Sequence, residues 1–462
     1  HHAKIVSSKL MIQNSSTHYS MSAGFIQVIF FLLAGIALII LLTARLKVHA
    51  FFALSIACFV VGMGVQLPVE GIITAMKEGF GHIMKSLGFI IVLGTTLGVL
   101  LEHTGSTRVM AEFILKKTGE RHAPLAMNIT GFVVGLPIFC DSGYIVLSGL
   151  NQTLARRTKI AVPIMATSLA AGLYAVHCLI PPHPGAAAAA GIIGVDFGKL
   201  ILTGIAVAIP ASAVGYWWAR YAGKKIPPLH VAQEKDADTN NKLPSVLQSF
   251  LPVIVPIALI ALGSFSSVEK NDNEVWHFFK IIGDPVVALF IGVLLALTAI
   301  NSWKKDKFSK LLQEGVEKAG GILVIIGAGG AFGAVLAATQ IGNHLGESMP
   351  LASMGIFFPF LLTSLLKTAQ GSSTVAIITA ASIIQPLMPA LGLQSPTGQL
   401  LAVLSMGAGS MMISHANDAY FWVISKFSGL EMKTMLKVYS LATVFMGLTA
   451  LVTVYILSLF ML

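Results

Sequence analysis

Asp141 lies in the stretch PIFCDSGYIVLSGL (137–150), a carboxylate set among Phe, Ile and Val. Asp418 closes SHAND (414–418), and histidines stand in two matching segments, His183 in PPHPG and His415 in SHAND. A fourth segment, QGSS (370–373), places Gly371 beside short hydroxyls that continue into Thr374. Ionisable residues in such apolar surroundings are expensive and are candidates for function by default. Helix limbs beginning near Ser142 and Ser372 would present free N–H groups and the positive end of a helix dipole. Two such ends aimed at one spot hold a carboxylate without an arginine. Ser142, Gln370, Ser372, Ser373, Thr374 and Asn417 can then exchange hydrogen bonds with several hydroxyls, while Gly143 and Gly371 let the chain turn. The inventory suits a small polyhydroxy acid. Asp141 and Asp418 are the candidates to bind and release a proton.

Blander readings apply to single features. One proline in a span often marks only a kink, but four interruptions in corresponding places point to a site. A lone histidine in a span is more often a packed, hydrogen-bonded residue than a ligand, and His177 is read that way. His183 and His415, at matching positions, are read as functional. Cys178 with His183 is too sparse for a metal site, and Cys58, Cys140 and Cys178 show neither a disulfide framework nor metal-ligand spacing. GAGGAFG (327–333) lacks the strand context of a dinucleotide site and reads as small residues for close helix packing. No cofactor and no metal are expected.

The elements that must position these residues are membrane helices. The chain has 462 residues, 55% of them hydrophobic and 11% charged, with a mean hydropathy of +0.82. That balance predicts an all-α polytopic membrane protein. About ten full spans are expected, at 24–43, 50–65, 86–101, 160–179, 200–219, 246–265, 281–300, 319–338, 400–413 and 438–457. Two apolar pairs between them, 124–158 and 351–392, read as re-entrant hairpins, and 160–195 and 400–427 as broken helices. With the N-terminus outside, 22 of the 30 Lys and Arg residues fall in inner loops and 7 outside, with Lys367 left in the membrane. The reverse orientation violates the positive-inside rule. The same distribution explains the net charge of +10 without nucleic acid.

Residues 1–23 read as a tag or polar leader without a cleavable signal pattern, so the first span is expected to be retained. The polar, Pro-punctuated stretch 220–244 reads as a cytoplasmic linker between repeats at 24–219 and 245–462. EGFGHIMKSLGFIIVLGTTLGVLL (78–101) lines up with EGVEKAGGILVIIGAGGAFGAVL (314–336). Since one repeat starts outside and the other inside, the two have inverted topology, the architecture of secondary transporters with a midplane site.

The segments LIPPHPGAAAAAGI, GSSTVAIITA, SHANDAYFWVISKFSGLEMKTMLKVYS, IIGAGGAFGAVL and GDPVVALFIGVLLAL resemble the gluconate–proton symporter (GntP) family. The resemblance runs from about residue 24 to the C-terminus. It implies proton-coupled uptake of gluconate or a related sugar acid across a bacterial inner membrane. It also implies a homodimer with a scaffold and a mobile, elevator-type domain that carries the hairpins. His183, Ser372, Ser373, Thr374, His415, Asn417 and Asp418 fall on the family's motif positions. Asp141 stands where typical members have Glu, Ser142 where they have an apolar residue, and Lys367 where Arg is expected. These departures leave room for a shorter or differently hydroxylated acid, or for D-serine, and coupling to sodium stays open. Two readings of another class are an intramembrane aspartyl enzyme using Asp141 and Asp418, whose flanking glycines are missing, and a passive channel, which conflicts with paired hairpins.

Overall fold

The structure, a computed structural model, describes residues 25–224, 243–266, 274–300, 305–340 and 351–461. The leader (1–23) and residues 225–242 of the stretch read as a linker lie outside them. The described residues form helices throughout. In the first half these are α1 (Phe25–Ile40), α2 (Ala50–Gly64), α3 (Val69–Thr104), α4 (Ser106–Thr118), α5 (Ala123–Gly135), α6 (Cys140–Thr158), α7 (Val162–Leu179), α8 (Pro184–Ile193) and α9 (Phe197–Gly223). The second half has α10 (Val246–Ser266), α11 (Glu274–Ile282), α12 (Pro285–Leu297), α13 (Lys305–Ala338), α14 (Phe357–Gln370), α15 (Ser373–Ile384), α16 (Pro396–Ser410), α17 (Ala419–Ser428) and α18 (Leu441–Met461).

Among the described residues, seven helices, or eight with one pair bent by 67°, are long and apolar enough to cross a membrane. The sequence suggested about ten spans. The difference lies in helix length, which hydropathy does not report. Helices α2 and α16 have 15 residues each, about 22 Å against a hydrocarbon core of about 30 Å. Conversely, α3 and α13 run to 36 and 34 residues, well past the apolar segments that announced them.

The long helices α3 and α13 pack antiparallel. Gly79 lies against the Gly330 backbone at one end of the contact, and Thr95 Oγ1 donates to the Gly315 carbonyl (3.1 Å) at the other. Lipid tails are as apolar as leucine, so burial alone does not join helices; close approach at small residues does. The same device joins α5 to α7. A Cβ on Gly172 would collide with the Asn128 carbonyl oxygen, and the Asn128 side chain then links three helices. It donates to Ser168 O (3.0 Å) and accepts from Ser212 Oγ (3.1 Å).

Helices α5 and α6 form a hairpin whose open end is closed by an ion pair of Arg157 with Glu120 (2.5 Å). Its second limb packs on α17, where Tyr144 Oη and Ser428 Oγ share a hydrogen bond of 2.5 Å. The hairpin of α14 and α15 packs its second limb on α8. Each hairpin thus meets the helix break from the other half of the chain.

Candidate substrate site

Four helices begin around one cavity, and local chemistry fixes where each begins. In the first hairpin, residues 136–139 make the turn and α6 starts at Cys140. Asp141 therefore stands in the first turn of the helix, which begins two residues before the start expected at Ser142. In the second hairpin, α14 ends at Gln370 and Gly371 takes φ +84°. A side chain there would strike the Asn417 backbone as well as strain the left-handed conformation. Ser372 caps α15, its Oγ accepting the Val375 N–H (3.3 Å). Prolines interrupt the third element, and α8 resumes with Pro184 in its first turn. In the fourth, α16 stops at Ser410 and Asp418 caps α17, its Oδ1 accepting from the Tyr420 N–H (3.0 Å).

The first turns of α6, α8, α15 and α17 line a cavity of about 390 Å³. Orphan N–H groups and four positive dipole ends therefore surround one space. Of the residues expected at a site, Asp141, Ser142, Gln370, Gly371, Ser372, Ser373, Thr374, Asn417 and Asp418 line it. Helix α13 contributes only Ile322 and Ile325.

Three expected residues do not line the cavity. Gly143 packs against Leu173. His183, 2% exposed, donates from Nε2 to the Gly135 carbonyl (2.6 Å). His415 donates from Nε2 to Thr368 O (3.1 Å), an oxygen that also accepts from Asn417 Nδ2 (2.8 Å). A carbonyl only accepts, so Nε2 of each histidine carries a proton. Gly135 and Thr368 stand in the last turns of α5 and α14, where helix carbonyls lack partners. The paired histidines fasten each hairpin to the helix break of its own half.

Lys367 is wholly buried and bonds Asp418 Oδ2 (2.7 Å) and Gly371 O (2.5 Å). Ser414 Oγ donates to the same Asp418 oxygen (2.5 Å). Asp418 is thus committed to Lys367, Ser414 and the start of α17. Asp141 has no ion pair among the described residues, and its one hydrogen bond comes from the Cys140 thiol (3.8 Å).

Sequence reasoning passed over several lining residues, chiefly His177, Tyr174 and Tyr420. Tyr174 and His177 are three apart on α7, just before its break, so they share the helix face that ends at the interruption. That spacing was the available signal. Several polar atoms here lack partners among the described residues: Gln370 Oε1 and Nε2, Asn417 Oδ1 and His177 Nδ1. No three metal-ligating side chains come together among the described residues.

The chain matches the family model described as GntP family permease over residues 26–460. It is 33% identical over 434 residues to the gluconate permease of Pseudomonas aeruginosa, covering 92% of this chain and 96% of that one. It is 29% identical over 437 residues to the D-serine transporter DsdX of Escherichia coli strain K12, covering 92% and 97%. Its fold resembles that of the Alcanivorax borkumensis YdaH transporter, with a TM-score of 0.58 and 14% identity over 86% of this chain and 90% of that one. Membership of a permease family sets aside the intramembrane enzyme reading. With its apolar helices, its interrupted limbs and a match along nearly its whole length, the chain belongs to the GntP permease family.

Proposed function

We propose that this multi-pass inner-membrane permease imports gluconate or a related small hydroxy acid together with a proton. One observation carries the reading: four helix N-termini converge on a cavity whose one unpaired carboxylate is Asp141. The dipole ends favour an anion. A second negative charge beside it costs about 4 kcal/mol at 4 Å for an effective dielectric of about 20. Anion and Asp141 therefore share the cavity best when Asp141 carries a proton. Asp418, already neutralised by Lys367, holds the site's shape and is not the carrier.

The cavity lies between the hairpin tips and α13, which suits alternating access by movement of the tips past a scaffold. An inverted repeat is supported by the antiparallel α3–α13 contact. Its Gly79–Gly330 and Thr95–Gly315 ends exchange, to within a residue, under the alignment of 78–101 with 314–336. The matching histidine ties and the crossed hairpin packing support it too. The outside N-terminus rests on the charge distribution, and the homodimer on family resemblance.

A second reading has its own support. An unpaired Asp141 is a ready counter-ion for an ammonium group, and a full-length relative is a D-serine transporter. A zwitterion would then place its carboxylate at the helix ends and its amine at Asp141. Uptake of labelled gluconate and labelled D-serine into vesicles separates the two. Proton-coupled gluconate uptake rises as external pH falls and collapses with a protonophore. Uptake driven by a sodium gradient alone would sink proton coupling, and uptake of D-serine only would establish the second reading.

A further inference from the structure

His177 is the cavity residue with no assigned work. Its ring lines the cavity, the residue is 9% exposed, and Nδ1 has no hydrogen-bond partner. Its neighbours hold it without satisfying it. Tyr174 lies nearly parallel to the ring at 6.5 Å, and the His183 ring is 4.9 Å away with its own Nε2 spent on Gly135. Gln370 lines the same cavity with both ends of its amide unpartnered. Asp418 is tied to Lys367 and Ser372 Oγ to the Val375 N–H, while Asn417 is half engaged, its Nδ2 on Thr368 and its Oδ1 unpartnered.

Buried polar groups are nearly always paired, so those that are not mark what the protein leaves for something else. A neutral imidazole offers one donor and one acceptor, and a primary amide offers both as well. Neither is a charge, so neither competes with the helix ends for a carboxylate. Both suit an alcohol, which gives one hydrogen bond and accepts others.

We propose that His177, seconded by Gln370, is a specificity-determining residue that reads a hydroxyl of the transported acid. This rests on the reading of the cavity as a hydroxy-acid site. It adds a reason for selectivity, because a site built to bond a hydroxyl is left with unpaired buried groups when the ligand lacks one.

The test uses the purified full chain and two ligand series at fixed pH: gluconate with its singly deoxygenated analogues, and D-serine with D-alanine. Equilibrium binding is measured for wild type, His177→Leu and His177→Asn. At least one analogue lacking a hydroxyl should bind wild type about ten- to hundredfold more weakly than its parent. In His177→Leu that ratio should fall within about threefold, while His177→Asn, which keeps an amide hydrogen-bonding group, should restore part of it. An unchanged ratio in His177→Leu, or equal binding of all analogues by wild type, would overturn the assignment. Should His177→Leu fail to fold, the ratio in His177→Asn decides: a value equal to wild type for every analogue overturns it. If wild type binds neither gluconate nor D-serine, the hydroxy-acid reading itself falls, and the inference with it.

Discussion

Lys367 Nζ lies 2.7 Å from Asp418 Oδ2, an ion pair that joins the tip of one hairpin to a helix break 51 residues along the chain. Lys367 also holds the Gly371 carbonyl, so a single ammonium fixes the turn that starts α15 and the aspartate that starts α17. Removing one partner leaves a buried charge uncompensated, which typically costs about 3–5 kcal/mol. Lys367→Met should therefore destabilise by that order. Lys367→Met combined with Asp418→Leu should recover part of the loss, limited by the missing cap on α17. Unfolding of the purified protein followed against denaturant checks both; a double variant no better than the single would show that the charge is not the cause.

Asp141→Asn removes the titrating group and keeps its shape. Accumulation of substrate against its gradient should fall at least tenfold, while counterflow exchange, which needs no net proton movement, should persist. Vesicle uptake with and without preloaded substrate separates the two. Unchanged accumulation would take Asp141 out of the coupling step.

Gly371→Ala places a methyl group on the Asn417 backbone at a residue whose φ is +84°. The left-handed conformation alone costs a non-glycine residue roughly 1–2 kcal/mol, and the collision adds to it by moving the hairpin tip. Transport should fall by at least tenfold with the protein still inserted. Gly320→Ala is the control, since nothing lies within 4 Å of the added carbon, and it should leave uptake within about twofold, because alanine suits a helix interior at least as well as glycine. Initial uptake rates normalised to membrane protein level report the difference.

The two histidine ties should differ in strength. Gly135 O accepts from His183 Nε2, whereas Thr368 O accepts from both His415 and Asn417. His183→Ala leaves a buried carbonyl unpaired, a loss of about 1–3 kcal/mol; His415→Ala leaves its carbonyl still bonded and should cost less. Thermal unfolding ranks them. His415→Ala should not alter how the site distinguishes hydroxylated from deoxygenated acids, since its side chain does not line the cavity.

The helix interruptions were legible because Gly, Pro, Ser and Asp leave marks wherever a helix must stop or be capped. Gly371, Ser372, Pro184 and Asp418 each sit where such a mark predicts an end or a start. Cys140 was less legible: it carries no capping signal, so the start of α6 was placed two residues late. Pairing across the chain was not legible at all. Lys367 stood out as a charge in an apolar stretch, but nothing in its neighbourhood names Asp418 as its partner. His183 and His177 are both lone histidines near the same break, and only the fold turns one toward a carbonyl and the other toward the cavity. The interruptions and the repeat supplied the transporter class and the anion chemistry, while family resemblance supplied the gluconate-type substrate and the proton coupling.

Ile322 and Ile325, the whole of α13's share in the cavity wall, separate two properties of the permease. Hydrogen bonds hold a ligand at fixed points; dispersion contacts are weak singly and nearly indifferent to sliding. Under the alternating access proposed above, a ligand gripped by the hairpin tips would meet α13 as a smooth rail without rungs. What is carried and how easily it travels are then written in different parts of the chain. Substitutions around residues 141, 177 and 370–374 can retune the cargo while the track along α13 stays as it is.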